Sequence, residues 1–213
     1  MTNIVNLPTA RALDPESMPV ESDLTPEVED EFWESRPELR TIRDFARARR
    51  TAPWGTFGYV LAQAISVIPP TVVLPPLVGG YASLNTFVAM VGTSGTGKGA
   101  SYGAARDLLR ITPRVHVAKP GSGEGTPKEY ARIEKPRGKP HVQHPLRNSV
   151  LFNVSEIDTL ANLGNRSGST LMSELRTAWS GEELGFAYSD QEKKLRVEPH
   201  RFRLCLVTGV QPG

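Results

Sequence analysis

The sequence has only one cysteine, Cys205, in 213 residues. A single thiol cannot form an intramolecular disulfide, which excludes the disulfide-stabilised class of small secreted domains. The first residues also lack the basic start and apolar run of a secretory signal peptide. These absences predict a protein of a reducing compartment, which we expect to be the cytoplasm.

Charged residues are missing from one long stretch, because residues 51–97 contain no Asp, Glu, Lys or Arg. A membrane-spanning helix needs about 20 consecutive apolar residues. Here two proline pairs, Pro69-Pro70 and Pro75-Pro76, interrupt the run, and proline breaks helix interiors. The stretch therefore predicts buried helices and strands, and we expect no membrane partner.

The formal net charge of +2 conceals an unequal distribution. Residues 1–35 contain nine acidic residues and one basic residue, a net of −8, whereas the remaining 24 basic and 14 acidic residues give +10. The acidic segment has prolines and few apolar residues, and it predicts a disordered tail. The basic body suggests DNA as an anionic partner, although a surface that is basic only for solubility explains the charge equally well.

The pattern of apolar residues divides the remaining chain into two parts. Residues 36–80 predict a helical lead-in packed on the core, because apolar residues recur there at helical spacing. Residues 81–213 alternate strand-like and helical stretches, which predicts an α/β three-layer domain with a mainly parallel sheet. We expect strands at 87–91, 114–118, 149–154 and 202–210, helices at 100–109, 126–133 and 169–179, a basic loop at 134–148 and a hairpin within 185–197.

A glycine-rich turn follows the strand at 87–91 and leads directly into a helical stretch. Its spacing, Gly92-x-x-x-x-Gly97-Lys98, is the Walker A pattern. Glycine allows the positive φ that a tight loop around an anion requires, and Lys98 would reach the β- and γ-phosphates. The motif predicts an ATP-binding loop of Gly92, Thr93, Ser94, Gly95, Thr96, Gly97, Lys98, Gly99 and Ala100.

The positions that would hold Mg²⁺ depart from the usual pattern. Gly99 stands where Ser or Thr supplies a Mg²⁺ ligand. The strand at 149–154 leads into Ser155-Glu156, where an Asp-Glu pair is usual. We expect Glu156 to be the general base, with Ser101 and Asp158 as substitute metal ligands; a helix N-cap is the competing interpretation of Asp158.

Two further groups extend the candidate site. Gln211 ends the last strand, and ligands of open α/β sheets lie at that edge, so it is a candidate γ-phosphate sensor. An arginine finger acting across a homo-oligomer interface is expected among three residues, for which structural ion pairs are the competing assignment: Arg176, Arg201 and Arg203.

With the loop, the acidic strand end and the Gln-tipped strand in this order, the chain resembles RecA-like P-loop ATPases. More narrowly, it is similar to the helicase-like ATPases of actinobacterial phages and prophages that accompany primase–polymerase modules. The resemblance covers residues 36–213 and rests on five stretches: Leu74-Pro-Pro-Leu-Val-Gly-Gly80, Val91–Gly99, Gly121-Ser-Gly-Glu-Gly125, Glu174–Glu182 and Leu206–Pro212.

This resemblance implies a RecA-like fold and a DNA-dependent ATPase of phage or mobile-element replication, with a cytoplasmic location in a bacterial host. It implies ATP and Mg²⁺ as cofactors, replication proteins as partners, and further chain after Gly213. RecA-type motors can place a catalytic glutamate after the second strand, which makes Glu124 a candidate. A solvated loop acid is the competing interpretation of that residue.

Two other functions remain open. The spacing Gly92-x-x-Gly95-x-Gly97-Lys98-Gly99 also resembles the loop of adenylate kinases, although no arginine-rich lid is found in the sequence. A nucleotide-gated module that binds DNA or a protein and turns over little ATP is the second alternative. It is favoured by the two altered metal positions, at Gly99 and Ser155.

Overall fold

The computed structural model describes residues 25–76, 79–93, 97–112, 114–137, 140–188 and 194–211. The helices of this part are α1 (Pro26–Glu34), α2 (Pro37–Ala48), α3 (Pro53–Ser66), α4 (Lys98–Leu109), α5 (Ile157–Gly164) and α6 (Leu171–Ser180). The strands are β1 (Val73–Leu74), β2 (Ala82–Ser83), β3 (Thr86–Val91), β4 (Val117–Ala118), β5 (Ala131–Glu134), β6 (Val142–Pro145), β7 (Ser149–Val154), β8 (Leu184–Gly185), β9 (Arg196–Val197) and β10 (Arg203–Val210).

Four strands form an all-parallel sheet in the order β3-β10-β7-β4. In the centre, Cys205 of β10 lies between Thr86 of β3 and Leu151 of β7. Every residue of β10 except Val210 is buried, as expected for a strand of a parallel sheet that is covered on both faces. The expectation of an α/β fold with a mainly parallel sheet is confirmed.

The chain crosses this sheet in two directions, on opposite faces. From β3 it passes through α4 to β4 at the far edge, and from β7 it passes through α5 and α6 to β10, which lies between β3 and β7. Right-handed crossovers that run in opposite directions place their helices on opposite faces. Accordingly, Cys205 and Val207 pack against α1–α4, while Leu204 and Leu206 pack against α5 and α6.

Helix α1 corrects the expectation that residues 1–35 form a disordered tail. Residues 1–24 lie outside the described part, but α1 is helical and the Trp33 side chain is fully buried. The Trp33 ring lies 4.7 Å from the ring of Trp54, and the Phe32 ring lies 4.8 Å from it. Large aromatic side chains dominate core energetics, so the packing of Phe32 and Trp33 against Trp54 orders this helix despite the acidic residues around it.

The helical segment before residue 81 lies in the same layer as α4. Helix α2 begins at Pro37, and α3 begins at Pro53. Helix α3 contacts α2, α4 and β10, and Tyr59 and Val60 share a core with Leu151 and Val207 of the sheet. This segment therefore covers one face of the sheet.

Two local predictions after β4 are wrong, and one is confirmed. The helix expected at 126–133 is a single 3₁₀ turn, Pro127–Glu129, followed by β5. The loop expected at 134–148 contains β6, which pairs with β5. Buried Tyr130 packs against Phe202 here, and such tertiary contacts override helix propensity. The hairpin expected within 185–197 is present as β8 and β9.

Arg203, at the start of β10, is fully buried and cannot serve as an arginine finger, which corrects that expectation. Its guanidinium donates to the carbonyls of Pro69 and Val72, both at 2.9 Å. These bonds tie β10 to the segment between α3 and β1.

Among the described residues, no helix is both long enough and apolar enough to cross a bilayer.

Candidate functional site

The candidate residues lie where three neighbouring parallel strands end. β3 ends at Val91, β10 at Val210 and β7 at Val154, all at the carboxyl edge of the sheet. The amide of Gly92 donates to the carbonyl of Val210 at 3.0 Å, which continues the β3–β10 pairing into the loop. β10 enters between the two strands from the opposite face, so this edge is a topological switch point, where open α/β sheets bind ligands.

The glycine-rich turn joins β3 to the N-terminus of α4. Gly97 is the N-cap of α4 and has φ of +76°, a left-handed conformation that glycine adopts without strain. Lys98 is the first helical residue, and Gly99 and Ala100 follow in the exposed first turn. Thr93 is exposed, whereas Ser94, Gly95 and Thr96 lie outside the described residues, as does the Lys98 side chain.

Such a turn presents backbone N–H groups to an anion. The first amides of a helix have no partner within the helix, and the helix dipole adds partial positive charge at the same end. α4 has no acidic residue in its first turn, so no carboxylate of the helix itself repels an anion there. This end of α4 has the local features of a phosphate-binding helix N-terminus.

Glu156 and Gln211 meet at the same edge of the sheet as the strand that leads into this turn. The Gln211 Nε2 atom donates to Glu156 Oε1 at 3.1 Å. The two residues follow the ends of β7 and β10, and both are exposed. The sequence places them 55 residues apart, and the insertion of β10 beside β7 brings them together.

The structure distinguishes the four positions considered for the metal. Ser101 is fully buried, and its hydroxyl donates to the carbonyl of Gly97 at 3.2 Å. A Cβ atom added at Gly55 would lie 2.9 Å from Ser101 Oγ, so this hydroxyl is packed between α3 and α4. Ser101 therefore does not fit a metal ligand, which corrects that expectation.

The other side chains at this edge whose oxygens could bind a metal are exposed. Ser155 follows β7, and Asp158 lies in the first turn of α5, for which Glu156 rather than Asp158 is the N-cap. No cluster of three or more His, Cys, Asp or Glu residues suited to a metal is found among the described residues. Mg²⁺ commonly binds through one or two carboxylates plus substrate phosphates and water, and Glu156 and Asp158 fit that mode.

Glu124 lies in the 3₁₀ turn Gly123–Gly125, which contacts α6. Its carboxylate accepts a bond from the Thr170 hydroxyl at 3.1 Å. Its own backbone amide, then Thr170, Ser122 and Tyr188, hold the pKa of this carboxyl below its usual value. These contacts account for Glu124 as a residue that joins the 3₁₀ turn to the start of α6.

Two polar residues of this region were missed at the sequence level. Asn153 of β7 accepts a bond from the Tyr59 hydroxyl at 2.7 Å, and burial raises the pKa of Tyr59 to about 12. Glu174 is buried on α6 and accepts from the amide of Gly185 at 2.8 Å. The sequence did contain a signal for each residue: Asn153 is a polar residue in an apolar strand, and Glu174 is an acid on the apolar face of a helix.

Comparison with protein-family models gives no match for this chain, and comparison with curated proteins gives none either. The functional argument therefore depends on the residues and their geometry.

Proposed function

We propose that this protein is an ATP-binding P-loop NTPase, RecA-like in its arrangement, that hydrolyses ATP in a DNA-dependent manner. The observation that carries the proposal is the Gln211–Glu156 pair at the edge where the glycine-rich turn enters α4. A phosphate loop, a carboxylate and an amide thus meet at one switch point.

The phosphate side of the proposal rests on the loop itself. Backbone amides that follow Gly92, up to Ala100, would surround the β- and γ-phosphates, and Lys98 would add a positive charge. Gly97 supplies the left-handed turn that lets the helix begin there. A substrate with a polyphosphate chain is therefore favoured over a monophosphate.

The hydrolytic side rests on Glu156 and Gln211. Glu156 is an exposed carboxylate with an amide donor 3.1 Å away, and it would accept a proton from the attacking water. Gln211 would position Glu156 and sense the γ-phosphate. Mg²⁺ would arrive with the nucleotide, and Asp158 is the carboxylate that could contact it.

DNA is the proposed macromolecular partner, and replication of phage or mobile-element DNA in the cytoplasm of a bacterial host is the proposed setting. The residues after 35 carry the net charge of +10 derived above from the full sequence, and basic surfaces attract nucleic acid. Replication proteins and further copies of this chain are proposed as additional partners. With Arg203 buried, Arg176 and Arg201 remain as candidate fingers between copies.

A second function is favoured by a specific observation, the lack of a metal-ligating hydroxyl in α4. Gly99 has no side chain, and the Ser101 hydroxyl is committed to the Gly97 carbonyl. A protein with this loop can bind ATP and respond to it while hydrolysing it slowly. We therefore keep a nucleotide-gated DNA- or protein-binding module as the alternative.

The test measures phosphate release and ATP affinity, each with and without single-stranded DNA, for wild type, Lys98→Ala and Glu156→Gln. Lys98→Ala is expected to lose ATP binding. Glu156→Gln is expected to bind ATP normally but to lose turnover by about 100-fold or more. The exposed Lys194 provides a matched control, because Lys194→Ala removes the same charge from the β8–β9 hairpin.

Phosphate release that DNA stimulates in wild type would support the DNA-dependent ATPase. ATP binding without turnover would support the gated module. Normal ATP binding by Lys98→Ala would reject both.

A further inference from the structure

A cavity of about 720 Å³ lies at the end of α4 opposite the phosphate loop. The 12 residues of α4 span about 18 Å, and the cavity lining on this helix extends from Arg110 at its end back to Tyr102. The cavity walls come from α2, α3, α4 and the segment leading into β4. They include four arginines and one acid: Arg49, Arg106, Arg110, Arg114 and Asp107.

The positive charge of this cavity exceeds what its single acid neutralises. Asp107 contacts two guanidinium groups, that of Arg49 at 3.4 Å and that of Arg106 at 3.6 Å. Arg114 forms no ion pair among the described residues. Four arginines and one aspartate leave a formal charge of +3 on the lining.

A buried amide also points to a missing ligand. Gln63 lies on α3, lines the cavity and is 5% exposed. Its Nε2 atom has no hydrogen-bond partner among the described residues. Leaving a buried donor unpaired costs free energy, and such groups are uncommon in folded proteins. Because Nε2 is itself shielded from solvent, a rotation of the Gln63 side chain would bring this donor to an acceptor bound in the cavity.

We propose that this cavity binds phosphate groups, carried either by a single strand of nucleic acid or by a free polyphosphate. Guanidinium groups match phosphate oxygens with paired donors, and Gln63 would add a neutral donor from the wall. Tyr102 also lines the cavity, and an aromatic side chain beside arginines suits a single strand, whose bases stack on such rings.

The end of a helix does not by itself explain these residues. Basic side chains near a helix C-terminus complement its dipole, and Arg110 does so, since its Nε donates to the carbonyl of Asp107 at 3.4 Å. Arg49 comes from the end of α2, Arg114 from beyond α4, and Gln63 from α3. Residues of three separate segments thus line one space.

The test uses the full chain and two probes, a labelled single-stranded oligothymidylate and inorganic tripolyphosphate. Binding is measured by anisotropy for the first and by the shift in unfolding temperature for the second. The variants are Arg114→Gln and Gln63→Leu, with Arg166→Gln as the matched control. Arg166 is exposed between α5 and α6, and it belongs to the other face of the sheet.

We expect Arg114→Gln to weaken probe binding about tenfold or more, and to reduce the log–log salt slope for the oligonucleotide by about 1. Gln63→Leu is expected to weaken binding while leaving the unfolding temperature the same or higher, because it removes an unpaired donor. Arg166→Gln should bind as wild type does.

Lys98→Ala separates this site from the phosphate loop. Probe binding that survives Lys98→Ala but is lost in Arg114→Gln supports the cavity, whatever the outcome for ATP hydrolysis. If Arg114→Gln loses binding of the oligonucleotide, a nucleic-acid strand is the phosphate source. If it loses binding of tripolyphosphate alone, the source is a free polyphosphate. Binding of neither probe, or equal binding by Arg114→Gln and wild type, would overturn the proposal.

Discussion

Gln211 donates a hydrogen bond to Glu156 at 3.1 Å, and this bond links the ends of two adjacent parallel strands. β10 and β7 are held in register from Arg203 beside Ser149 to Thr208 beside Val154. The backbone positions of the two residues are therefore fixed by two strands, β7 and β10, most of whose residues are buried. Both residues face solvent beyond that sheet, where they are free to contact a ligand.

Substituting Gln211 tests whether this bond matters for hydrolysis. In Gln211→Leu the donor to Glu156 is lost, and we expect ATP turnover to fall about tenfold or more while ATP affinity is unchanged. Because Gln211 is exposed, the free energy of unfolding should change by less than about 0.5 kcal/mol.

Single-turnover phosphate release and equilibrium ATP binding are the measurements. The companion variant is Glu156→Gln, whose amide oxygen can still accept from Gln211. If Gln211→Leu turns over ATP at the wild-type rate, the bond has no role in catalysis.

The parallel sheet and the bounds of its two central strands follow from features that a sequence displays well. β7 and β10 are continuous apolar runs, and both were predicted within one residue of their observed bounds. The meeting of Glu156 with Gln211 at one edge was also within reach, because parallel strands share their carboxyl ends. The direct bond between them was not, since it requires β10 to lie beside β7.

The failures have a common physical origin in contacts made across long distances in the chain. Nothing near Trp33 in the sequence shows that the ring of Trp54 will cover it. Ser101 has the right chemistry for a metal ligand, and only the approach of α3 through Gly55 shows that its hydroxyl is buried. Arg203 would likewise be expected at the surface, and only the fold shows that the carbonyls of Pro69 and Val72 accept its hydrogen bonds in the interior.

Gly99 offers a gain-of-function test of the metal argument. Among the residues that the structure describes, a Cβ atom added there meets nothing within 4 Å, and the φ of Gly99 is not positive. Gly99→Ser is therefore expected to fold and to place a hydroxyl in the first turn of α4. We expect Mg²⁺ to strengthen ATP binding more in this variant than in wild type, because the hydroxyl restores the usual ligand.

Gly99→Ala is the matched control, because it adds a methyl group without an oxygen. Both variants should stabilise α4, alanine by about 1 kcal/mol and serine by about half as much. ATP titrations with and without Mg²⁺ separate the two effects. An equal Mg²⁺ response in the serine and alanine variants would show that position 99 does not approach the metal.

Truncating Trp33 tests whether α1 belongs to the folded domain. The side chain is fully buried and packs against Trp54 and Phe57. Trp33→Ala is expected to lower the free energy of unfolding by about 3–5 kcal/mol, as for other large aromatic truncations in cores. Urea denaturation measures it, with Val28→Ala as control, since Val28 on the same helix is 48% exposed. Similar values for the two variants would mean that α1 adds little to the core.

Glu174 predicts a pH dependence of stability with a definite sign. Burial raises the pKa of its carboxyl, and nearby Glu124 raises it further, while the Gly185 amide opposes them. The folded state therefore holds this proton to higher pH than the unfolded state does. Stability contributed by the protonated group is fully present below the unfolded pKa of about 4.3, and it is lost as pH rises through the higher folded pKa.

Glu174→Gln removes this titration and keeps an oxygen that can accept from the Gly185 amide. We expect the unfolding free energy of wild type, minus that of the variant, to fall as pH rises above about 4.3 and then to level off. Urea denaturation from pH 4 to pH 8 gives this difference, and taking the difference removes contributions that the two proteins share. A difference that grows with pH would mean that the folded protein favours the ionised carboxylate at this position.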